Sequence, residues 1–264
     1  MERYVIRGGK RGYERLQLLA RARMPDTRDL FDRVGITPGW RCLDLGCGSG
    51  DVTFEIARRT GPDGHVTGID MDATKLELAR SAAAGLGLTQ VEFRSSDVSA
   101  WHERDAYDMV YSRFLLQHLQ DPVDLLRRMW AALRPGGALV VEDADFDGLF
   151  CHPPNDAFDF YADNYRRVLA LNGGDPAIGR KLYGYFGAAG ISRPELNLVQ
   201  SVYAAGEGKT LAFSTLEATA DSLLEARLAT PDVISAALAS LARFTEDPDT
   251  IVGDPRIFQV WCRR

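Results

Sequence analysis

The chain has 264 residues, of which 45% are hydrophobic and 26% are charged, and its formal net charge at pH 7 is −6. This is the composition of an ordinary globular protein, and it excludes a disordered tail, a collagen and a small disulfide-stapled domain. The mild acidity argues against a protein that binds duplex DNA, and no apolar run is long enough to suggest a membrane span.

The four cysteines indicate the compartment and bear on metal binding. They form no C-x-x-C pair and do not stand near histidines at zinc-site spacing. The first seven residues contain no apolar segment typical of a secretory signal. We therefore expect reduced thiols, a cytoplasmic location and no metal site.

Residues 1–39 are predicted to form an N-terminal helical lid. Apolar residues recur at helical spacing from Tyr13 to Ala20, and Pro25 is expected to interrupt this helix. Thr27 is then expected to cap a second, short helix that Gly35 ends.

Residues 40–143 alternate short apolar strands with helical segments. Strands are predicted over 41–45, 65–70, 91–94, 107–111 and 138–141, and helices over 52–59, 72–84 and 122–133. Such alternation is typical of a parallel sheet that is covered by helices on both faces. We interpret this part as the ligand-binding core.

Residues 144–264 are expected to complete the core sheet and to add a helical cap. Helices are predicted at about 154–172, 177–189 and 209–245, and strands at 196–203 and 257–262. The predicted fold is a doubly wound, Rossmann-like α/β fold with a mostly parallel seven-stranded sheet. Cap insertions at about 144–172 and 209–245 would cover the carboxyl ends of the strands, where such sheets bind ligands.

A glycine-rich turn joins the first predicted strand to the first core helix. Residues 44–50 read DLGCGSG, so Gly46 and Gly48 allow a ligand to approach the backbone closely. The following helix offers unpaired N–H groups at its start. Taken alone, this motif also fits a plain tight turn.

Acidic residues at the ends of two further strands support the interpretation of the glycine-rich turn as part of a ligand site. Asp70 ends the second strand, at the position that accepts hydrogen bonds from ribose hydroxyls in doubly wound sheets. Asp97 follows the third strand, where its carboxylate can accept from an adenine amine and the Val98 N–H can serve a ring nitrogen. Together these residues predict a ligand that contains adenosine.

The charge around the glycines favours one adenosine ligand over another. Asp44 precedes the turn and Asp51 follows it, and nearby anions disfavour a diphosphate at a helix N-terminus. A sulfonium that also carries an ammonium group suits this environment better. We therefore favour S-adenosylmethionine over NAD, although Asp51 can also be explained as a helix cap.

With these motifs in order, the chain resembles the class I S-adenosylmethionine-dependent methyltransferases of the bacterial small-molecule type. The resemblance covers about residues 40–143 well and the final strands loosely. It rests on residues 42–50 (CLDLGCGSG), 68–72 (GIDMD), 96–98 (SDV), 107–112 (YDMVYS) and 133–137 (LRPGG).

The resemblance implies roles for individual residues. The backbone of Gly46 and Cys47 would hold the methionine amino and carboxylate groups, Asp70 the two ribose hydroxyls, and Met71 would lie against the adenine. Ser112 would sit beside the methionine portion. The predicted cofactor-binding residues are Tyr13, Asp44, Gly46, Cys47, Gly48, Asp70, Met71, Asp97, Val98 and Ser112.

Three features of the sequence bear on the class of acceptor molecule. Tyr13 and residues 7–9 resemble lid elements of small-molecule methyltransferases, although Tyr13 equally fits a core contact. The N/D-P-P-Y/F motif common in enzymes that methylate adenine or amide nitrogens is replaced by SRFL at residues 112–115, which argues against DNA methylation. The extra helices expected to close over the site would exclude a large chain and favour a small organic metabolite, and some of the cap aromatics are candidates to line an apolar pocket for it.

Methyl transfer is an in-line displacement for which the protein chiefly orients the reactants. A general base is needed only if the acceptor arrives protonated. His118, after the fourth strand, is the candidate base, with a packed structural histidine as the alternative. Two other functions stay open: a non-catalytic or repurposed binder of S-adenosylmethionine, and an NAD-dependent oxidoreductase. The acceptor atom and the oligomeric state are left open by the sequence.

Overall fold

The computed structural model describes residues 9–264, with side chains from residue 12 onward. Its strands are β1 (Arg41–Leu45), β2 (His65–Asp70), β3 (Val91–Ser95), β4 (Tyr107–Arg113), β5 (Leu133–Asp145), β6 (Phe150–His152), β7 (Glu195–Val199), β8 (Val202–Tyr203), β9 (Ile251–Gly253) and β10 (Arg256–Arg263). Its α-helices are α1 (Gly9–Val34), α2 (Asp51–Thr60), α3 (Ala73–Gly85), α4 (Pro122–Ala132), α5 (Asp156–Leu171), α6 (Leu182–Ala188), α7 (Leu211–Glu225) and α8 (Pro231–Glu246).

Seven of the strands form one twisted sheet in the order β3-β2-β1-β4-β5-β10-β7. The first five run parallel, and β10 lies antiparallel between β5 and β7. The central strands are largely buried on both faces because helices cover both sides, which removes the polar alternation of a half-exposed strand. The predicted fold class is confirmed.

The strand order reverses between β1 and β4. The chain leaves β1 towards β2 and β3 on one side and returns to β4 on the other. Loops that follow β1 and β4 therefore diverge and leave a crevice at the carboxyl ends of these strands, which is where doubly wound sheets bind ligands.

The cap is a separate layer with its own apolar core. Helices α5, α7 and α8 pack against one another, and α7 also packs against α1. Buried residues of this core include Phe158, Leu216, Leu223 and Leu241. The helical segment predicted over 209–245 is two helices, because residues 226–230 turn the chain before Thr230 caps α8.

The prediction that Pro25 interrupts the N-terminal helix is wrong. Helix α1 continues through Pro25, which is exposed, and the buried Leu30 and Phe31 fix the following turns on the sheet. A proline inside a helix costs about 3 kcal/mol, and packing of this apolar face offsets the cost. Thr27 is accordingly a buried helical residue and not an N-cap. Of the lid segment at residues 7–9, residues 7 and 8 lie outside the described residues.

The predicted strand over 196–203 is divided between two sheets. Strand β7 forms an edge of the large sheet, whereas β8 joins a small antiparallel sheet in the order β6-β9-β8. The sequence did not reveal this small sheet because its strands have only two or three residues. Among the described helices, none has both the length and the apolar character needed to cross a bilayer.

Candidate functional site

A cavity of about 760 Å³ lies between the sheet and the cap. Its floor consists of the loops that follow β1, β2, β3 and β4, and its other walls are α1, α5 and α7. The volume falls within the range of about 300–1,000 Å³ that is usual for small-molecule sites. It therefore occupies the crevice that the strand order creates.

The glycine loop after β1 depends on left-handed backbone conformations. Gly46 has φ of 74° and Gly48 has φ of 53°. A Cβ on Gly46 would lie 3.1 Å from Leu115, and one on Gly48 would lie 3.0 Å from Leu16 of α1. Glycine is needed here both for the conformation and for the close approach of neighbouring side chains.

The amide groups of this loop are already engaged by the neighbouring strand. The N–H groups of Gly46 and Cys47 donate to the carbonyl oxygen of Ile69, at 2.8 and 3.0 Å. They are therefore not available as donors to a cofactor carboxylate, although the carbonyl oxygens of Gly46 and Cys47 can accept from an ammonium group. This geometry modifies the role that the resemblance implied for the two residues.

Arg113 offers a cation beside the same loop. It ends β4 and lines the cavity, and its Nη1 donates to Thr27 Oγ1 at 3.0 Å. Its charge favours the ionised forms of Asp44 and Asp51, so these groups lie near one another. A guanidinium in this position suits a cofactor carboxylate, and sequence reasoning did not identify it.

Asp44 places a buried carboxyl group at the floor of the cavity. Burial raises the pKa of this carboxyl to about 6, against the effect of a 2.6 Å hydrogen bond from the Thr53 hydroxyl. The nearby charge of Asp70 acts in the same direction as burial. The carboxylate thus suits a cationic ligand group, whose charge would favour its ionised form.

Asp70 connects two loops of the floor. Its Oδ2 accepts from the Gly48 N–H and its Oδ1 accepts from the Asp72 N–H, both at 2.9 Å. Each carboxylate oxygen has a second lone pair, so the side chain retains capacity for ligand hydroxyls. Asp72 itself caps α3 through the Lys75 N–H at 3.1 Å, which leaves Asp70 as the acid for the ligand.

Three further predicted residues lie along the same wall. Met71 is 60% exposed, Val98 is buried, and Asp97 is exposed at the loop after β3. Asp97 accepts from the Ser99 N–H at 2.8 Å, and this hydrogen bond lowers the pKa of the carboxyl. The cavity therefore brings together Asp44, Gly46, Cys47, Gly48, Asp70, Met71, Asp97 and Val98.

Tyr13 and Ser112 do not belong to the described lining of the cavity. Ser112 is fully buried within β4, where side chains alternate between the faces of the sheet. Tyr111 and Arg113 point to the cavity, so Ser112 points to the other face. On α1, Tyr13 lies one turn before the cavity-lining Leu16, and burial together with the nearby charge of Asp51 raises the pKa of its phenol. Ser112 therefore points away from the cavity, whereas the cofactor contact that the resemblance implied for Tyr13 stays a prediction.

His118 stands in the cavity on a short turn after β4. Burial, assisted by the positive charges of Arg15 and Lys75, lowers the pKa of the imidazole to about 4. The ring is therefore neutral at pH 7, and the same effects make it a weaker base than an exposed histidine. The turn is held by Asp143, whose Oδ2 accepts from the Gln117 N–H at 3.2 Å.

Aromatic side chains line the cap side. Phe146 packs against Tyr165 with ring centroids 4.6 Å apart, and Tyr161 lies 6.3 Å from Tyr165. Other cap aromatics such as Phe158 are core residues instead. Within residues 9–264, no group of three or more His, Cys, Asp or Glu side chains is arranged to hold a metal ion.

Comparison with known proteins places this site in a family. Residues 36–172, just over half of the chain, match the family model described as a methyltransferase domain. A trans-aconitate 2-methyltransferase from Rhizobium leguminosarum is 36% identical over 118 residues, which are 45% of this chain and 44% of that protein. Phosphoethanolamine N-methyltransferase 1 from Arabidopsis thaliana is 33% identical over 129 residues, 48% of this chain and 24% of that protein.

The chain thus spans less than half the length of these two curated relatives. Among solved structures, a protein from Bacillus halodurans assigned as a methyltransferase superposes with a TM-score of 0.62 at 19% identity, over 90% of this chain and 98% of the other. At this identity the likeness concerns the fold. On the strength of the family match, the chain belongs to the class I S-adenosylmethionine-dependent methyltransferases, which confirms the family, and with it the cofactor, that the sequence predicted.

Proposed function

We propose that the chain transfers a methyl group from S-adenosylmethionine to a small organic metabolite. The observation that carries the proposal is the shared cavity, in which the glycine loop and the strand-end acids face an aromatic wall from the cap. One side suits a nucleoside with a charged amino-acid tail, and the other suits an apolar acceptor.

Different residues of the cavity floor would bind different parts of the cofactor. Asp70 would accept from the ribose hydroxyls, Asp97 and Val98 would contact the adenine edge, and Met71 its face. The carbonyl oxygens of Gly46 and Cys47 would accept from the ammonium group, and Arg113 would pair with the carboxylate. When bound, S-adenosylmethionine supplies an electrophilic methyl group on its sulfonium.

The helices that surround the cavity would orient the acceptor and exclude water. We propose three functional parts: a lid (residues 1–39), a cofactor-binding core (40–143), and a remainder (144–264) that completes the sheet and provides the cap at about 144–172 and 209–245. Helices that close over the site leave room for a small molecule and not for a polymer, which agrees with the small metabolites in the names of the relatives.

His118 is the proposed general base for an acceptor that arrives protonated. Its neutral imidazole lines the cavity and can take the proton as the acceptor atom forms its new bond. We also retain the cytoplasmic location as a proposal, supported by the free thiols of Cys42, Cys47, Cys151 and Cys262.

The proposal is tested by incubating the purified chain with methyl-labelled S-adenosylmethionine and a panel of small metabolites that includes trans-aconitate and phosphoethanolamine. We expect label in at least one panel member, and reduced transfer in Asp70→Ala at cofactor concentrations that do not saturate the variant. Binding of the cofactor without transfer to any member would favour the repurposed binder. Reduction of a nicotinamide cofactor, with no uptake of S-adenosylmethionine, would contradict the proposal.

A further inference from the structure

Three arginines line the cavity, and their partners differ. Arg23 forms a buried ion pair with Asp254 and lies 3.6 Å from Asp26. Arg113 lies at the glycine loop, where the charges of Asp44 and Asp51 act on it. Arg15, on α1, has a different environment at the cap side of the cavity.

The guanidinium of Arg15 is held by a neutral group. Its Nε and Nη2 both donate to the Thr215 hydroxyl of α7, at 3.3 and 3.1 Å. Among residues 9–264, no carboxylate stands within ion-pair distance of it. A guanidinium can bind a carboxylate or phosphate through two parallel N–H groups, and here a single hydroxyl accepts from both Nε and Nη2.

This cation is also placed among groups that would contact an acceptor. Arg15 is half-buried, and its charge acts on both His118 and Tyr161. A partly desolvated charge without a counter-ion is unfavourable, and an incoming anion would compensate it. An anion in this position would lie beside the proposed base and the aromatic wall.

We propose that Arg15 binds an oxyanion on the acceptor, so that the acceptor is an organic carboxylate or phosphate with an apolar, flat body. This inference rests on the proposed function and assigns its substrate class. Thr215 is the positioning residue that fixes the guanidinium, and Tyr161 and Tyr165 provide the surface for the apolar body.

The carboxylate of the cofactor is the competing anion for Arg15. The geometry favours Arg113 for that role, because Arg113 lies beside the glycine loop, whereas Arg15 contacts Thr215 of the cap helix α7. Any test must therefore measure the binding of the cofactor and of the acceptor anion separately.

The experiment is isothermal titration calorimetry on the full chain saturated with S-adenosylhomocysteine. The probes are benzoate, phenyl phosphate and benzamide, which share a flat ring and differ in the charged group. The test variant is Arg15→Gln. The matched control is Arg21→Gln, which removes the same charge from the same helix but at an exposed pair with Glu207 outside the cavity lining.

We expect benzoate or phenyl phosphate to bind about tenfold or more tightly than benzamide, because hydrogen bonds to a charged group are the strong ones. The tighter anion identifies the carboxylate or the phosphate as the source. Arg15→Gln should abolish the preference while it keeps the affinity for S-adenosylhomocysteine within about twofold, and Arg21→Gln should keep both. Retained affinity for that nucleoside also shows that the variant is folded.

Three results would overturn the inference: equal binding of benzamide and the anions, no binding of either anion, or a preference that survives Arg15→Gln. A loss of affinity for S-adenosylhomocysteine in Arg15→Gln, with the anion preference intact, would assign Arg15 to the cofactor. Failure of the wild-type chain to bind S-adenosylhomocysteine would overturn the proposed function itself, and this inference with it.

Discussion

Asp70 has two roles in the proposed cofactor site. It fixes the glycine loop through the Gly48 N–H and would also bind the ribose. Replacement by alanine should therefore weaken the binding of S-adenosylhomocysteine by about 1.5–3 kcal/mol, the range for hydrogen bonds that involve a charged group. Calorimetry measures this loss directly.

Asp63→Ala is the control for that variant, because Asp63 lies in an exposed turn away from the cavity. It removes the same charge and should leave the affinity unchanged. Equal affinities for Asp70→Ala and the wild-type chain would refute the ribose assignment.

The protonation state of His118 can be predicted and measured without knowledge of the acceptor. Because the pKa of the imidazole is lowered to about 4, its ring should stay neutral from about pH 5 to 8, and its NMR shifts should not change over that range. His118→Gln identifies the signal. A titration centred near pH 6.5 would contradict the buried, positively charged environment.

The proposed role of His118 as a general base also predicts how its substitution changes kcat. If His118 removes a proton from the acceptor, His118→Gln should lower kcat by about 10²–10⁴-fold with little change in cofactor affinity. The exposed His102 provides the control as His102→Gln. Full activity of His118→Gln on an accepted metabolite would leave the imidazole with a structural role.

At the residue scale, the predicted strand-end acids lie in the cavity lining, whereas the sequence did not identify the arginines that line it. Asp70 and Asp97 stand at strand ends, and strand ends can be recognised from apolar runs. Ser112 was misplaced because the face of a strand residue depends on the register of the whole sheet. Arg113 could have been predicted, since it shares the cavity face of β4 with Tyr111. The role of Arg15 could not, because it depends on the packing of α7 against α1.

Among the elements, α1 is attached to the sheet by a buried polar group. The Thr27 hydroxyl donates to Glu142 of β5 at 2.9 Å and accepts from Arg113 at 3.0 Å. Thr27→Val would leave these buried partners short of a hydrogen bond, and should reduce the free energy of unfolding by about 1–3 kcal/mol. Urea denaturation, followed by circular dichroism, measures the change.

Thr74→Val is the matched control, because Thr74 lies on an exposed face of helix α3. We expect a change below about 0.5 kcal/mol there, as for most surface positions. If both valine variants unfold at the same urea concentration as the wild-type chain, the polar attachment of α1 contributes nothing to stability.

Helices and strands were predicted correctly where the apolar pattern extends over enough residues to show its period. Strands β1 to β4 and helices α2 to α4 were predicted to within a few residues. Strand β5 runs over Leu133–Asp145 where the prediction was 138–141, and α1 was wrongly divided at Pro25. Local rules about proline do not include the apolar face beyond it, which tertiary packing holds in place. Strands β6, β8 and β9 are too short to produce a period.

At the scale of the whole molecule, buried carboxyls give stability a definite pH dependence. Burial raises the pKa of Asp143 from 3.8 to about 7. Between about pH 4 and 7 the unfolded chain has lost this proton while the folded chain retains it, so the group makes stability fall as pH rises through this window.

Asp143→Asn removes that titration. The variant should therefore lose less free energy of unfolding than the wild-type chain when the pH is raised from about 4.5 to 7, as measured by urea denaturation at both values. Asp63→Asn, at an exposed turn, should retain the wild-type slope. Identical slopes for Asp143→Asn and the wild-type chain would show that Asp143 ionises normally in the folded state.

The overall architecture was the most predictable level. Alternation of strands and helices predicted the sheet, and the motifs along it predicted the family. The cap was expected from its extra helices, but which side chains it brings to the cavity depends on how α1, α5 and α7 pack together. That packing joins residues up to 200 positions apart, as for Arg15 and Thr215, and no local pattern encodes it.

The most direct test of the account is calorimetric titration of the purified chain with S-adenosylmethionine and, separately, with NAD⁺. The cavity should bind one S-adenosylmethionine per chain, because the acids around the glycine loop favour a sulfonium and an ammonium over a diphosphate. NAD⁺ should give no saturable heat. Binding of NAD⁺ in place of S-adenosylmethionine would contradict the account.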